Sequence, residues 1–245
     1  MPQTQPSAAE ALHGHSGSSS PPTHFGGEGG GTPPPRGGPG GNPRLRRYRI
    51  GLAFAIVSVY MLFIAITSAY VYRQGTSRFD EQSMTYTSDW KPMVVPQILW
   101  LNTFLLLLSS VTSELARRQI FREPGATEEW LGMGSPAKKA SLPWLAISLV
   151  LGFGFLSGQF LAWKQLFEQG IYASTNPSSS FFYLLTGTHA VHLFGGIIAF
   201  LWTVAANLLH RPLLSRQIAL DVTAWYWHAM GILWLYVFTL MLVLR

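Results

Sequence analysis

His189 and His192, three residues apart in TGTHAVHLFGG, and His228 in WYWHAMGIL are the side chains of this 245-residue sequence with the most chemical scope. An imidazole can ligate a metal, pass a proton or close a hydrogen bond, and all three sit in long apolar runs. At i,i+3 spacing His189 and His192 share one helix face. Ionisable groups are costly in hydrocarbon, so they face protein or water rather than lipid. His192 and His228 lie on runs of opposite direction. Counted from the span ends at about 1.5 Å per residue, they fall at similar depth. Two imidazoles at one depth are what a six-coordinate haem needs. The same-face pair His189 and His192 speaks against that, and the other reading is of neutral histidines bonded across helix contacts. There is no HExxH and no third ligand cluster for zinc, and no phosphate-binding glycine loop, nucleophile elbow or carboxylate pair. Cysteine is absent, which excludes disulfides, thiolate metal sites and cysteine nucleophiles.

Other polar residues flank or interrupt the apolar runs. Asp221 precedes His228 by seven positions at the mouth of the last run; an N-cap or first-turn acid and a functional carboxylate are both open there. Glu114 ends the second run, within reach of Arg117 at i+3 and Arg118 at i+4. The second run also holds Asn102, Thr103, Ser109, Ser110, Thr112 and Ser113, which read either as hydrogen-bonding glue between helices or as a proton path. The third run carries Gly152, the small-xxx-small pair Gly154 and Gly158, and Gln159.

These residues need a scaffold, and the composition says which kind. Only 11% of the chain is charged and 48% is hydrophobic, against about 25% charged in soluble domains. Five mostly apolar runs, 50–72, 94–113, 142–166, 181–208 and 222–244, are each long enough to cross a hydrocarbon core of about 30 Å as helices. The expected fold is an all-α integral membrane protein with five transmembrane helices in a domain over 48–245. Residues 1–47 hold 11 Gly and 9 Pro, a composition expected to stay disordered, and show no apolar stretch of a cleavable signal. His13, His15 and His24 in that tail read as solvated. Twelve of the 17 Lys and Arg fall on one side if the N-terminus is cytoplasmic, so the C-terminus is expected outside. Trp90, Trp144, Trp163, Trp225 and Trp227 fall near span ends as interfacial anchors. The net charge of +6 follows the loops rather than an aromatic-interleaved patch, so nucleic acid is not an expected partner.

Residues 49–244 resemble subunit III of the haem–copper oxidases in its shorter five-helix bacterial form. Residues 101–118 (LNTFLLLLSSVTSELARR), 157–166 (SGQFLAWKQL) and 176–196 (NPSSSFFYLLTGTHAVHLFGG) resemble successive family stretches, and Asp221, the Tyr226 to His228 triplet, Trp234 and Leu235 resemble the family's ending. The resemblance implies a subunit without redox centres of its own, in a bacterial inner membrane. It would pack on the catalytic subunit I beside subunit II, with haem and copper in those partners. It would also hold phospholipids and support sustained electron transfer to dioxygen with proton pumping. His189, His192, Asp221, Trp227, His228, Trp234, Asn102 and Glu114 are then candidates for lipid or subunit contact rather than catalysis. Where the family has carboxylates in the first helix and after the last histidine, this chain has Val59 and Gly231. A quinol oxidase or nitric oxide reductase subunit is the alternative within this class; a haem-binding cytochrome or small transporter lies outside it.

Overall fold

The computed structural model describes residues 43–76, 78–80, 85–87, 90, 96–122, 141–209 and 211–243. Five helices dominate: α1 (Pro43–Gln74), α2 (Ile98–Ile120), α3 (Ser141–Glu168), α4 (Pro177–Leu208) and α5 (Leu213–Val243). A short antiparallel ribbon, β1 (Arg78–Asp80) and β2 (Thr85–Thr87), follows α1. All five helices are long and apolar enough to span a membrane. With no water in the bilayer core, helices satisfy their backbone groups internally, which is why long apolar runs fold this way.

Neighbouring helices close a ring: α2 packs on α3, α3 on α4, α4 on α5, and α5 back on α2. Phe155 of α3 and Trp227 and Trp234 of α5 fill its middle, all fully buried. Helix α1 lies outside the ring against α4 and α5. It buries only Leu45, Phe63, Thr67 and Tyr70, and presents Phe54, Val57, Met61, Leu62 and Ile64 outward.

The helices outrun the apolar runs where tertiary contacts hold an extra turn or two. Helix α1 starts at Pro43, inside the stretch expected to be disordered; proline suits a first helical position, Leu45 is buried and Arg49 is ion-paired. The rest of that tail, 1–42, lies outside the described residues. Helix α5 starts at Leu213, so Asp221 is its ninth residue, not the N-cap or first-turn acid that the apolar run suggested. Likewise α2 continues six residues past Glu114.

The α3–α4 turn is closed by local chemistry. Gly170 takes a φ of 72°, and the Gly170 and Ile171 amides donate to the carbonyls of Phe167 and Leu166, a Schellman ending that a glycine accommodates without strain. Asn176 then caps α4: its Oδ1 accepts from the Ser179 amide at 2.9 Å, while Ser179 Oγ accepts from the Asn176 amide at 3.3 Å. Tyr183 Oη donates to the Ile171 carbonyl at 2.9 Å, which ties the turn to α4. This fixes the helix that carries His189 and His192.

Candidate functional site

Two constellations stand out, an ion-pair cluster at one end of the bundle and an aromatic core with an unusual polar content. In the cluster, Arg49 of α1 grips Asp221 of α5 with two bonds, Nε to Oδ2 at 2.7 Å and Nη2 to Oδ1 at 2.9 Å. Arg117 of α2 reaches the same carboxylate through Nη1 at 3.2 Å and holds Glu114 with Nε and Nη2 at 2.7 and 2.9 Å. Arg118 adds a bond to Glu114 Oε1 at 2.8 Å, and His228 Nε2 lies 3.7 Å from Glu114 Oε2. Asp221 is fully buried, whereas the Arg49 and Arg117 side chains keep 39% and 24% exposure. A buried carboxylate is sustained only by such charge-assisted, bidentate partners. The cluster pins α1, α2 and α5 together.

Beside this cluster the core is held by indoles. Trp227 sits between two glycines of neighbouring helices. A Cβ on Gly152 would meet its ring at 2.9 Å, and one on Gly196 at 3.0 Å. Its Nε1 donates to Ser109 Oγ at 3.0 Å, and Ser109 passes a bond to the Ser148 carbonyl at 2.9 Å. Trp234 Nε1 donates to Thr103 Oγ1 at 3.0 Å, and Trp163 Nε1 to Thr186 Oγ1 at 3.1 Å. The hydroxyls of Thr103, Ser109 and Thr112 in α2 therefore act as glue: the first two accept an indole proton, and Thr112 bonds across to Ser148 of α3 at 2.7 Å. Trp227 is thus no interfacial anchor. Its position near a run's apparent end suggested one, but α5 extends two turns further and carries it inward. Trp225 is half exposed, and Trp144 and Trp163 are partly buried.

The histidines divide. His189 is fully buried, its ring against Trp234 at 5.0 Å, Phe155 at 5.8 Å and Phe63 at 6.5 Å between centroids. His192 is half-buried, contacts Phe63 at 6.0 Å, and donates from Nδ1 to the Thr188 carbonyl at 2.7 Å. Phe63 thus packs α1 against the face that both imidazoles share. His228 faces Glu114 instead. Among the described residues, no group of three or more His, Cys, Asp or Glu side chains is placed to hold a metal ion. Of the eight singled-out residues, Asp221, Trp227, Trp234, His189 and Asn102 lie inside the chain, so their contacts here are intramolecular; His192, His228 and Glu114 remain partly exposed.

Several contributors carry no distinguishing signal in the sequence. Arg49 reads as one more topology charge, and Ser148, Gly152 and Gly196 read as ordinary small residues. Tyr60 Oη donates to the Ala229 carbonyl at 2.8 Å, joining α1 to α5 midway. At the two positions that depart from the family's carboxylates, Val59 packs on the core and Gly231 meets Ser110, whose Oγ would lie 3.2 Å from an added Cβ.

The fold and these contacts define a multi-pass membrane protein of five long helices whose polar residues tie helices together. A family profile described as cytochrome c oxidase subunit III matches residues 42–244. The chain belongs to that family. A probable cytochrome c oxidase subunit 3 of Mycobacterium leprae (strain TN) is 32% identical over 102 residues, 42% of this chain and 50% of the relative. The cytochrome c oxidase subunit 3 of Prototheca wickerhamii is 26% identical over 205 residues, 80% of this chain and 69% of the relative. A quinol oxidase subunit 3 of Bacillus subtilis (strain 168) is 29% identical over 143 residues, 58% of this chain and 63% of the relative. The chain spans about half the length of the mycobacterial relatives it matches.

Proposed function

We propose that this chain is the accessory, cofactor-free subunit III of a respiratory cytochrome c oxidase in a bacterial inner membrane. It packs on subunit I beside subunit II, with haem and copper in those partners, and sustains electron transfer to dioxygen with proton pumping. The observation that carries the reading is the use of the buried polar groups: indoles, hydroxyls and the Asp221 carboxylate are engaged in holding helices together. The names of most of the relatives above favour cytochrome c as donor. The Bacillus subtilis relative supports the second reading, a quinol oxidase subunit.

Phospholipid binding is part of this proposal. An apolar groove of about 630 Å³ runs between α4 and α5, lined by Trp202, Leu214, Ile218 and Val222, with Arg44 and Tyr48 of α1 at its rim. Acyl chains suit the wall and an anionic headgroup suits the arginine. Outward-facing apolar residues of α1, with the partly exposed His192, His228 and Glu114, are the side chains we assign to lipid or subunit contact.

In this proposal the N-terminus is cytoplasmic and the C-terminus outside. Because the chain has no cysteine, single introduced thiols give a clean test. Ser174→Cys, at an exposed position in the α3–α4 turn, is expected to react with a membrane-impermeant maleimide in intact spheroplasts. Ser215→Cys, in the first turn of α5, is expected to react only after permeabilisation; the reverse pattern contradicts the topology.

The accessory role is tested by His192→Ala. We expect the purified complex to keep its full haem absorbance per subunit I while losing activity sooner during turnover, because His192 bonds a carbonyl of its own helix and packs on Phe63. Loss of a haem signal with this substitution would contradict a cofactor-free subunit.

A further inference from the structure

The outward surfaces of the helices differ in chemistry. Between 184 and 201 the exposed residues of α4 are Leu184, Val191, Phe194, Gly195, Ile198 and Leu201, a surface that suits hydrocarbon. Helix α5 is different. Trp225, His228, Ile232, Tyr236 and Thr239 follow one another at spacings of 3, 4, 4 and 3, which puts them on one face. Trp225 and Tyr236 are 50% and 40% exposed, Thr239 is exposed, and the His228 side chain keeps 30%. Glu114 of α2, 3.7 Å from His228 and 23% exposed, joins this face. Neighbouring helices frame it. On one side Tyr60 of α1 bonds to the Ala229 carbonyl; on the other Trp100 of α2 meets Phe238 edge-on at 4.9 Å.

These polar groups are not confined to the helix ends. His228 is the midpoint of the 31 residues of α5, and lies about 9 Å inside the apolar run that begins at 222. Tyr236 lies about 12 Å from the end of that run at 244. Lipid headgroups stand beyond both depths, and acyl chains offer no hydrogen bond. Ionisable side chains within a span face protein or enclosed water rather than lipid. On the outer surface of a bundle that means a second protein, since hydroxyls and imidazoles commonly bond from one membrane helix to another.

We infer that the α5 face from Trp225 to Thr239, with Glu114 beside it, is where a transmembrane helix of a partner chain docks. In the proposed function, on which this inference rests, that chain is subunit I. The partner helix carries hydrogen-bonding side chains at two levels about 12 Å apart, the rise between residues 228 and 236. One level meets the His228–Glu114 pair and the other meets Tyr236 and Thr239, with Ile232 packing between them. The apolar outer face of α4 is left to lipid.

The test is photo-cross-linking of the complete complex in its own membranes. A benzophenone amino acid replaces Thr239 in one strain and Val191, 71% exposed on α4, in another. We expect an adduct with a transmembrane peptide of subunit I from position 239, and lipid adducts alone from 191. Lipid adducts alone from 239, or an adduct there with any chain other than subunit I, overturn the inference. A subunit I adduct from 191 but not from 239 also overturns it, yet leaves the proposed function standing. Absence of subunit I from the unmodified complex would instead fail the proposed function, and the inference with it. If the bulky residue prevents assembly, Tyr236→Phe with Thr239→Val decides, because that pair removes two hydroxyls at nearly constant shape. The chain is then expected to leave the complex at a lower detergent concentration while its level in the membrane equals that of the parent; unchanged release overturns the docking face.

Discussion

Trp227→Ala is expected to lower the stability of the bundle by about 3–5 kcal/mol, the range for deleting a fully buried aromatic ring. The indole is fully enclosed, lies between Gly152 and Gly196, and meets Phe200 edge-on at 4.8 Å. Its removal opens a cavity where three helices converge and takes away the N–H bonded to Ser109. Trp227→Phe keeps most of the volume and loses that bond, so a cost of about 1 kcal/mol is expected. From the opposite direction, Gly196→Val pushes a branched side chain into the ring and is expected to cost about 1–3 kcal/mol or more. Unfolding of the purified complex, followed by the thermal midpoint or by titration with denaturing detergent, measures all three. An alanine variant as stable as the parent would place Trp227 outside the core and contradict the packing described above.

The second large effect concerns the charge cluster, where the order of two variants matters more than either value. Asp221 is fully buried, but the arginines that hold it reach solvent. Removing the arginines strands a carboxylate; removing the carboxylate leaves two guanidinium groups that water can reach, one of them still paired with Glu114. Arg49→Met with Arg117→Met is therefore expected to cost about 3–5 kcal/mol, the range for an uncompensated buried charge. Asp221→Leu is expected to cost less, because an apolar residue of similar volume removes the desolvation demand along with the ion pair. The same unfolding measurement gives the ranking. If Asp221→Leu proves the more damaging, the carboxylate has a role beyond joining α1, α2 and α5.

The five helices are legible in the sequence because each apolar run alone is long enough to span a bilayer, and no tertiary information is needed for that. Their ends are not. The first two turns of α1 and α5 mix polar with apolar residues, and contacts outside each helix engage them: Arg49 meets Asp221 of α5, and Arg216 donates to Asn207 of α4 at 2.8 Å. Glu114 is readable from i,i+3 and i,i+4 spacing, which is local, and it pairs with both Arg117 and Arg118 as that spacing allows. Trp227 is not, since a tryptophan near the end of a run looks the same whether it meets headgroups or glycines. The signal lies elsewhere in the chain, in Gly152, Gly196 and Ser109, and only the packing brings them to one ring.

In the proposed function this chain serves an oxidase without holding a redox centre itself. An absorption spectrum of the tagged chain measures that directly, on material extracted from its own membranes in mild detergent, first with its partners and then stripped of them. Haem absorbance and co-eluting oxidase subunits are expected in the first sample, and no haem in the second. Haem that stays with the lone chain would contradict the proposal and direct attention to His192 and His228 as ligands.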